Sequence, residues 1–225
     1  MNQVAKNLEE VRSRIAAAAI RAGRNPAMVK LVAVSKTVAA GRIKEAWDAG
    51  QQIFGENYLQ EAKAKIAALG PGPAWHFIGH LQSNKAKAAV ELFGLIHGVD
   101  SLKLARAVEK AAAQMDKVQE ILTQVNQAGE ASKSGVNPEA AADLLREIAA
   151  LPRLKVKGLM TMPPFLDPEA VRPYFRALRE FRDRLEQLGL GPLPELSMGM
   201  SGDYEVAVEE GATLVRVGTA IFGRR

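Results

Sequence analysis

The chain has 225 residues, 48% of them hydrophobic, and a net charge of +5. That length holds a sizeable core, and no run of eighteen apolar residues suggests a membrane span. With no cysteine, disulfide and thiolate chemistry are excluded and a cytoplasmic location is expected.

The first segment carries Val4, Leu8, Val11 and Ile15 at helical spacing, and Gly23 is suited to end it. Its short alanine run lies between Arg12, Arg14 and Arg21, which does not suit a signal peptide. Eight strand-like runs follow, at residues 30–36, 52–57, 74–79, 95–100, 121–126, 155–162, 195–200 and 214–218. Helical patterns separate them. Asp100 or Ser101 can cap one helix, and Asn137 with Pro138 reads as an N-cap and first helical residue. Val171, Phe175, Leu178, Phe181, Leu185 and Leu188 form an apolar stripe that predicts core packing. Strands alternating with helices imply parallel pairing and right-handed crossovers. The predicted fold is α/β, a (β/α)8 TIM barrel in one domain over 1–225, with an extra N-terminal helix. The alternative is an open doubly wound sheet, but no Gly-x-Gly-x-x-Gly follows the first strand.

The unusual polar residues collect at the C-terminal ends of strands, where barrel sites are built. Lys36 ends the first strand, Asn57 the second, and His76 lies in the third. Ser197 and Ser201 lie in or beyond the seventh, and Arg216, Gly218 and Thr219 end the eighth. "GMSGD" and "VGTA" each put small residues just before a helix start, where free N–H groups can meet an anion. Barrel phosphate sites commonly use the loops after strands seven and eight. Taken singly, each segment also fits an ordinary capped turn.

In a closed barrel the first and last strands are neighbours, so Lys36 stands beside Arg216 and Gly218. Side-chain alternation turns Arg216 inward and Val215 and Val217 outward. A buried guanidinium needs an acceptor, either an interior carboxylate such as Glu56 or a ligand atom. Lys36 can pair with Glu56, or its neutral amine can form a Schiff base with a carbonyl. With a phosphate site alongside, the ligand carries both a carbonyl and a phosphate. Pyridoxal 5′-phosphate (PLP) and a sugar-phosphate aldehyde both answer that description. His76 reads as a wall or core residue, and His76, His80 and His97 do not amount to a histidine-rich metal site. The basic residues are scattered and aromatics are only 5%, so no nucleic-acid platform is expected.

"AVSKT", "FGENYLQE", "WHFIGHLQSNK", "SKSG", "GLMTM", "LSMGMSGD" and "VRVGTAIFG" occur in that order. Together they resemble the pyridoxal phosphate homeostasis protein family, single-domain relatives of the alanine racemase barrel, over residues 11–223. The resemblance implies that Lys36 holds PLP as a Schiff base. It implies that Ser201, Gly218 and Thr219 hold the phosphate and that Arg216 faces the pyridine nitrogen. Asn57 and His76 would line the ring, with Ser197 and Met198 near it. The N-terminal helix would cover the barrel end opposite the cofactor. The implied function is to bind, buffer or deliver PLP to PLP-dependent apoenzymes without robust catalysis. A low-activity PLP-dependent amino-acid racemase is the alternative. Those racemases add a β-rich domain that supplies a tyrosine base, and none is expected after Arg225. Were a longer tail to cover the cofactor in relatives, a C-terminus this close to the last loop would imply easier exchange. A monomer is expected, with a dimer as the alternative, and the "SKSG" stretch at 132–135 is given no role.

Overall fold

The structure is a computed structural model and describes residues 2–127, 129 and 134–223. Ser132 and Lys133 of "SKSG" lie outside the described residues. Eight strands close a parallel barrel in sequence order: β1 (Lys30–Val34), β2 (Ile53–Glu56), β3 (Ala74–Phe77), β4 (Leu95–Val99), β5 (Gln119–Gln124), β6 (Leu154–Met160), β7 (Glu195–Ser197) and β8 (Leu214–Val217). The closing pair aligns Val32 with Arg216 and Ala33 with Val217. The open-sheet alternative is excluded by this closure. Each strand falls within the stretch expected of it or starts slightly earlier, and most end sooner. They end sooner because their last residues leave the ladder to form the loops of the upper face.

The helices are α1 (Gln3–Arg21), α2 (Ala40–Asp48), α3 (Leu59–Leu69), α4 (Ala86–Leu92), α5 (Leu102–Gln114), α6 (Pro138–Ala149), α7 (Pro168–Gln187), α8 (Tyr204–Glu209) and α9 (Thr219–Phe222). Ser101 caps α5 by accepting from Leu104 N, and Pro138 opens α6 after Asn137. On α7, Val171, Phe175, Leu178 and Leu185 are buried, whereas Leu188 is 62% exposed. Leu188 is the C-cap, so the chain has already left the helical register that aims the stripe at the core. None of the helices among the described residues is long and apolar enough to cross a membrane.

Strand alternation divides the core in two. Outward residues such as Ala33, Phe54, Phe77, Ile96, Leu196, Val215 and Val217 pack under the helices. Inward, Val32, Leu95, Leu122, Met160 and Leu214 plug the barrel. Each such side chain contributes roughly 1.5–3 kcal/mol on burial.

α1 corrects an expectation. It does not cover the lower end of the barrel; it packs against α8, α9 and α2 in the outer ring. Asn2 caps it by accepting from Ala5 N, and Gly23 leaves it with φ +67°. Asn7 Nδ2 donates to Ile221 O (2.8 Å), and Arg12 donates to Ala49 O (3.1 Å). The reason is geometric. α9 is only four residues long and cannot roof β8 and β1. The Val4, Leu8, Val11 and Ile15 stripe supplies the missing helix.

Candidate functional site

The upper ends of β1, β2 and β8 and the loops after β6 and β7 enclose a cleft of about 870 Å³. Lys36, Asn57, Ser201, Arg216, Gly218 and Thr219 all line it. So do Val34, Ile78, Met162, Phe165, Met200 and Phe222, which make its apolar walls. None of these apolar residues was singled out in the sequence, because an apolar residue beyond a strand end has no chemical mark of its own.

Lys36 follows Val34 by two positions and keeps its inward parity. Among the described residues its Nζ has no hydrogen-bond or ion-pair partner. Glu56, offered as a partner for Lys36 or Arg216, faces the other way. On β2, Ile53 packs on the inner plug and Phe54 under the helices, so Glu56 shares the outer face with Phe54. There it accepts from Lys65 Nζ of α3 (2.8 Å) and from Ser35 Oγ (2.6 Å).

The two small-residue loops meet. Ser201 Oγ accepts from Gly218 N (3.1 Å) and Ala220 N (3.4 Å). Gly218 must be small: a Cβ there would lie 3.3 Å from Val34 Cβ and Val34 O. Thr219 opens α9, and the N–H groups of Thr219 and Ala220 precede the first bond of the helix, Ile221 N to Gly218 O (2.9 Å). Asn57 Oδ1 is buried and has no hydrogen-bond partner among the described residues. Gly79 packs directly on the Asn57 backbone, since a Cβ there would lie 2.6 Å from Asn57 O.

Arg216 is 4% exposed and lies at the floor of the cleft. It donates to Ser197 Oγ (2.5 Å) and to Thr161 O (3.0 Å). Burial pushes it down to about 10, and the charge of Asp203 partly opposes that. It is therefore still a cation at neutral pH, and among the described residues no carboxylate pairs with it.

Ser197 and His76 do not reach the cleft; they lie below Arg216 inside the barrel. His97 Nδ1 is 2.9 Å from Ser197 Oγ, and His97 Nε2 is 3.1 Å from His76 Nδ1. Burial holds His76 down at about 4, with Glu195 opposing and Lys30 adding to the shift. Burial, then the charges of His76 and Arg216, hold His97 well below its ordinary value. A guanidinium only donates, so Ser197 Oγ accepts from Arg216, and the hydrogen-bonded chain continues through His97 to His76 in the direction their tautomers set. His97 was read only as a poor metal ligand in the sequence. Its signal was parity: it stands two residues beyond Leu95, on the inner face.

Met198 is not near the cleft. It is fully buried among the helix-side residues, because it follows Ser197 by one position and faces outward. The tyrosines near the upper face are also elsewhere. Tyr58 is 57% exposed, and Tyr204 lies against Arg14 of α1, 5.7 Å from its guanidinium. Neither lines the cleft.

The family model for the alanine racemase N-terminal domain matches residues 2–225. A pyridoxal phosphate homeostasis protein of Aquifex aeolicus is 48% identical over 222 residues, covering 98% of this chain and 97% of the relative. Its counterpart in Escherichia coli K12 is 44% identical over 232 residues, covering 100% of this chain and 98% of that one. The solved structure of PipY from Synechococcus elongatus, with PLP bound, aligns with a TM-score of 0.88 at 40% identity, covering 98% of this chain and 100% of that chain. Alanine racemase of Corynebacterium glutamicum shares the fold, with a TM-score of 0.73 at 19% identity, covering 99% of this chain and 61% of that one. The barrel, the loops that frame its cleft and near-complete alignment with these relatives establish that this chain belongs to the pyridoxal phosphate homeostasis protein family.

Proposed function

We propose that this chain binds PLP in the cleft, holds it as a Schiff base on Lys36, and stores or delivers it to PLP-dependent apoenzymes in the cytoplasm without robust catalysis. One observation carries the reading. An amine without a partner among the described residues (Lys36), a buried guanidinium with no carboxylate among them (Arg216) and the joined Ser201 and Gly218 loops share one cleft. The residues fit the cofactor. Ser201, Gly218 and Thr219 suit its phosphate, and Asn57 lines the same cleft.

When bound, PLP supplies an aldehyde for reversible covalent attachment and a ring that can withdraw electrons. Arg216 limits the second property. It has N–H groups to donate and no lone pair to accept with, so a pyridine nitrogen placed against it would be held unprotonated. Ser197 and Thr161 O hold the guanidinium in place, and His97, 2.9 Å from Ser197 Oγ, keeps Ser197 oriented. A two-base racemase needs a second proton carrier opposite Lys36, and neither Tyr58 nor Tyr204 lines the cleft.

The test is the visible spectrum of wild type and Lys36→Ala, side by side after incubation with PLP. Wild type turns yellow, is bleached by borohydride and gains mass on the peptide holding Lys36. Lys36→Ala does none of these. A wild type that stays colourless defeats the reading.

A further inference from the structure

The residues on either side of Lys36 are held by one buried ammonium. Ser35 is fully buried on the outer face of the barrel. Its carbonyl accepts from Lys65 Nζ (2.7 Å), and its hydroxyl donates to Glu56 Oε1 (2.6 Å). Lys65 Nζ also donates to Glu56 Oε1 (2.8 Å) and to Glu61 Oε2 (3.0 Å). That same Glu61 oxygen accepts from Thr37 N (2.8 Å). All three donors of the ammonium are thus used. Lys65 grips Ser35 directly and Thr37 through Glu61.

The backbone at Lys36 calls for such a grip. Thr37 sits at φ +61°, a left-handed conformation that a β-branched residue adopts only when its surroundings enforce it. Lys65 and Glu56 are both buried, and an apolar pair would serve stability as well as a buried ion pair does. Lys36 itself joins none of these contacts, so its amine stays available while its neighbours are fixed.

We propose that Lys65 is a positioning residue for Lys36. With Glu56 and Glu61 it locks Ser35 and Thr37, so that the amine is aimed into the cleft before any ligand arrives. This rests on Lys36 as the attachment point. The bond it favours is C=N between Lys36 Nζ and the aldehyde carbon, with water leaving.

The test separates covalent capture from plain binding. One variant is Lys65→Met with Glu56→Gln, which leaves no buried charge unpaired. The other is Glu61→Ala, at a side chain 35% exposed, which releases Thr37 N and leaves Lys65 paired with Glu56. The probes are PLP, scored by borohydride-trapped mass on the Lys36 peptide, and pyridoxine 5′-phosphate, which has the ring and phosphate but no aldehyde. In both variants the apparent affinity for trapped PLP should fall about tenfold, as expected for a misaimed reacting group. Binding of pyridoxine 5′-phosphate should change by less than about twofold. Unchanged trapping, or parallel loss of both ligands, overturns the proposal. If the double variant does not fold, Glu61→Ala decides alone. A wild type that binds pyridoxine 5′-phosphate but traps no PLP overturns the attachment reading itself.

Discussion

Arg216 donates to Ser197 Oγ at 2.5 Å in the interior of the barrel, and no carboxylate shares the contact among the described residues. A cation so placed still has donors for an acceptor in the cleft above it. Arg216→Met should lower PLP affinity by about 1.5–3 kcal/mol, the range for a hydrogen bond to a charged group. Titration followed by visible absorption measures it. Unchanged affinity would mean that Arg216 serves the barrel alone.

The stitched loops lead to a second expectation. Ser201→Ala removes the oxygen that accepts from Gly218 N and Ala220 N. PLP affinity should fall by about 1–2 kcal/mol, and pyridoxal without its phosphate should lose little. Competition by inorganic phosphate against both ligands makes the distinction.

The buried histidines predict a pH dependence with a definite sign. The folded pKa of His76 is about 4, below its ordinary 6.5, because burial disfavours the charged ring. Between those values the unfolded chain binds the proton and the folded chain does not. Stability from this group is therefore complete above pH 6.5 and falls as the pH drops towards 4. His97 acts in the same direction. Burial raises Glu56 and Asp203, against the pull of Lys65 and Ser35 on the first and of Met200 N on the second. Both take up protons on folding and oppose the trend. The slope from His76 approaches about 1.4 kcal/mol per pH unit within the window. Urea unfolding from pH 7 to 4 on wild type and His76→Gln should give a flatter profile for the variant. Equal profiles would contradict the assignment.

Gly79 tests the wall that carries Asn57. In Gly79→Ala the new Cβ would meet Asn57 O at 2.6 Å and Asn57 Cα at 2.9 Å. Backbone must move, at a cost of about 1–3 kcal/mol. Thermal unfolding and PLP titration should both register the change.

Among the described residues no histidine, tyrosine or carboxylate lines the cleft beside Lys36, and this bears on turnover. Incubated with L- or D-amino acids in deuterium oxide, the PLP-loaded protein should place little deuterium at the α-carbon. Mass spectrometry of the amino acids reads this directly. Rapid exchange would return the racemase alternative.

What was legible in the amino-acid order was local and periodic. Alternation along Leu214, Val215, Arg216 and Val217 told which residues turn inward, because a strand repeats every two residues. The positions of Lys36, Asn57, Ser201, Gly218 and Thr219 beyond strand ends followed from the same count, since parallel strands deliver their ends to one face. Met198 and Glu56 were misplaced by one step of that alternation, which sends a side chain to the opposite face.

Other features required the folded chain. The apolar stripe of α1 declares a buried face but not its neighbour; the short α9 left the gap that α1 fills. His76, His97 and Ser197 come from separate strands, and only barrel closure brings them within 3.1 Å and 2.9 Å of one another. Lys65 looks like one more helical lysine until α3 docks and its ammonium meets Ser35 O, Glu56 and Glu61. The physical reason is common to all three. Periodicity decides which way a side chain faces, whereas its partners depend on which distant segment the packing brings opposite it.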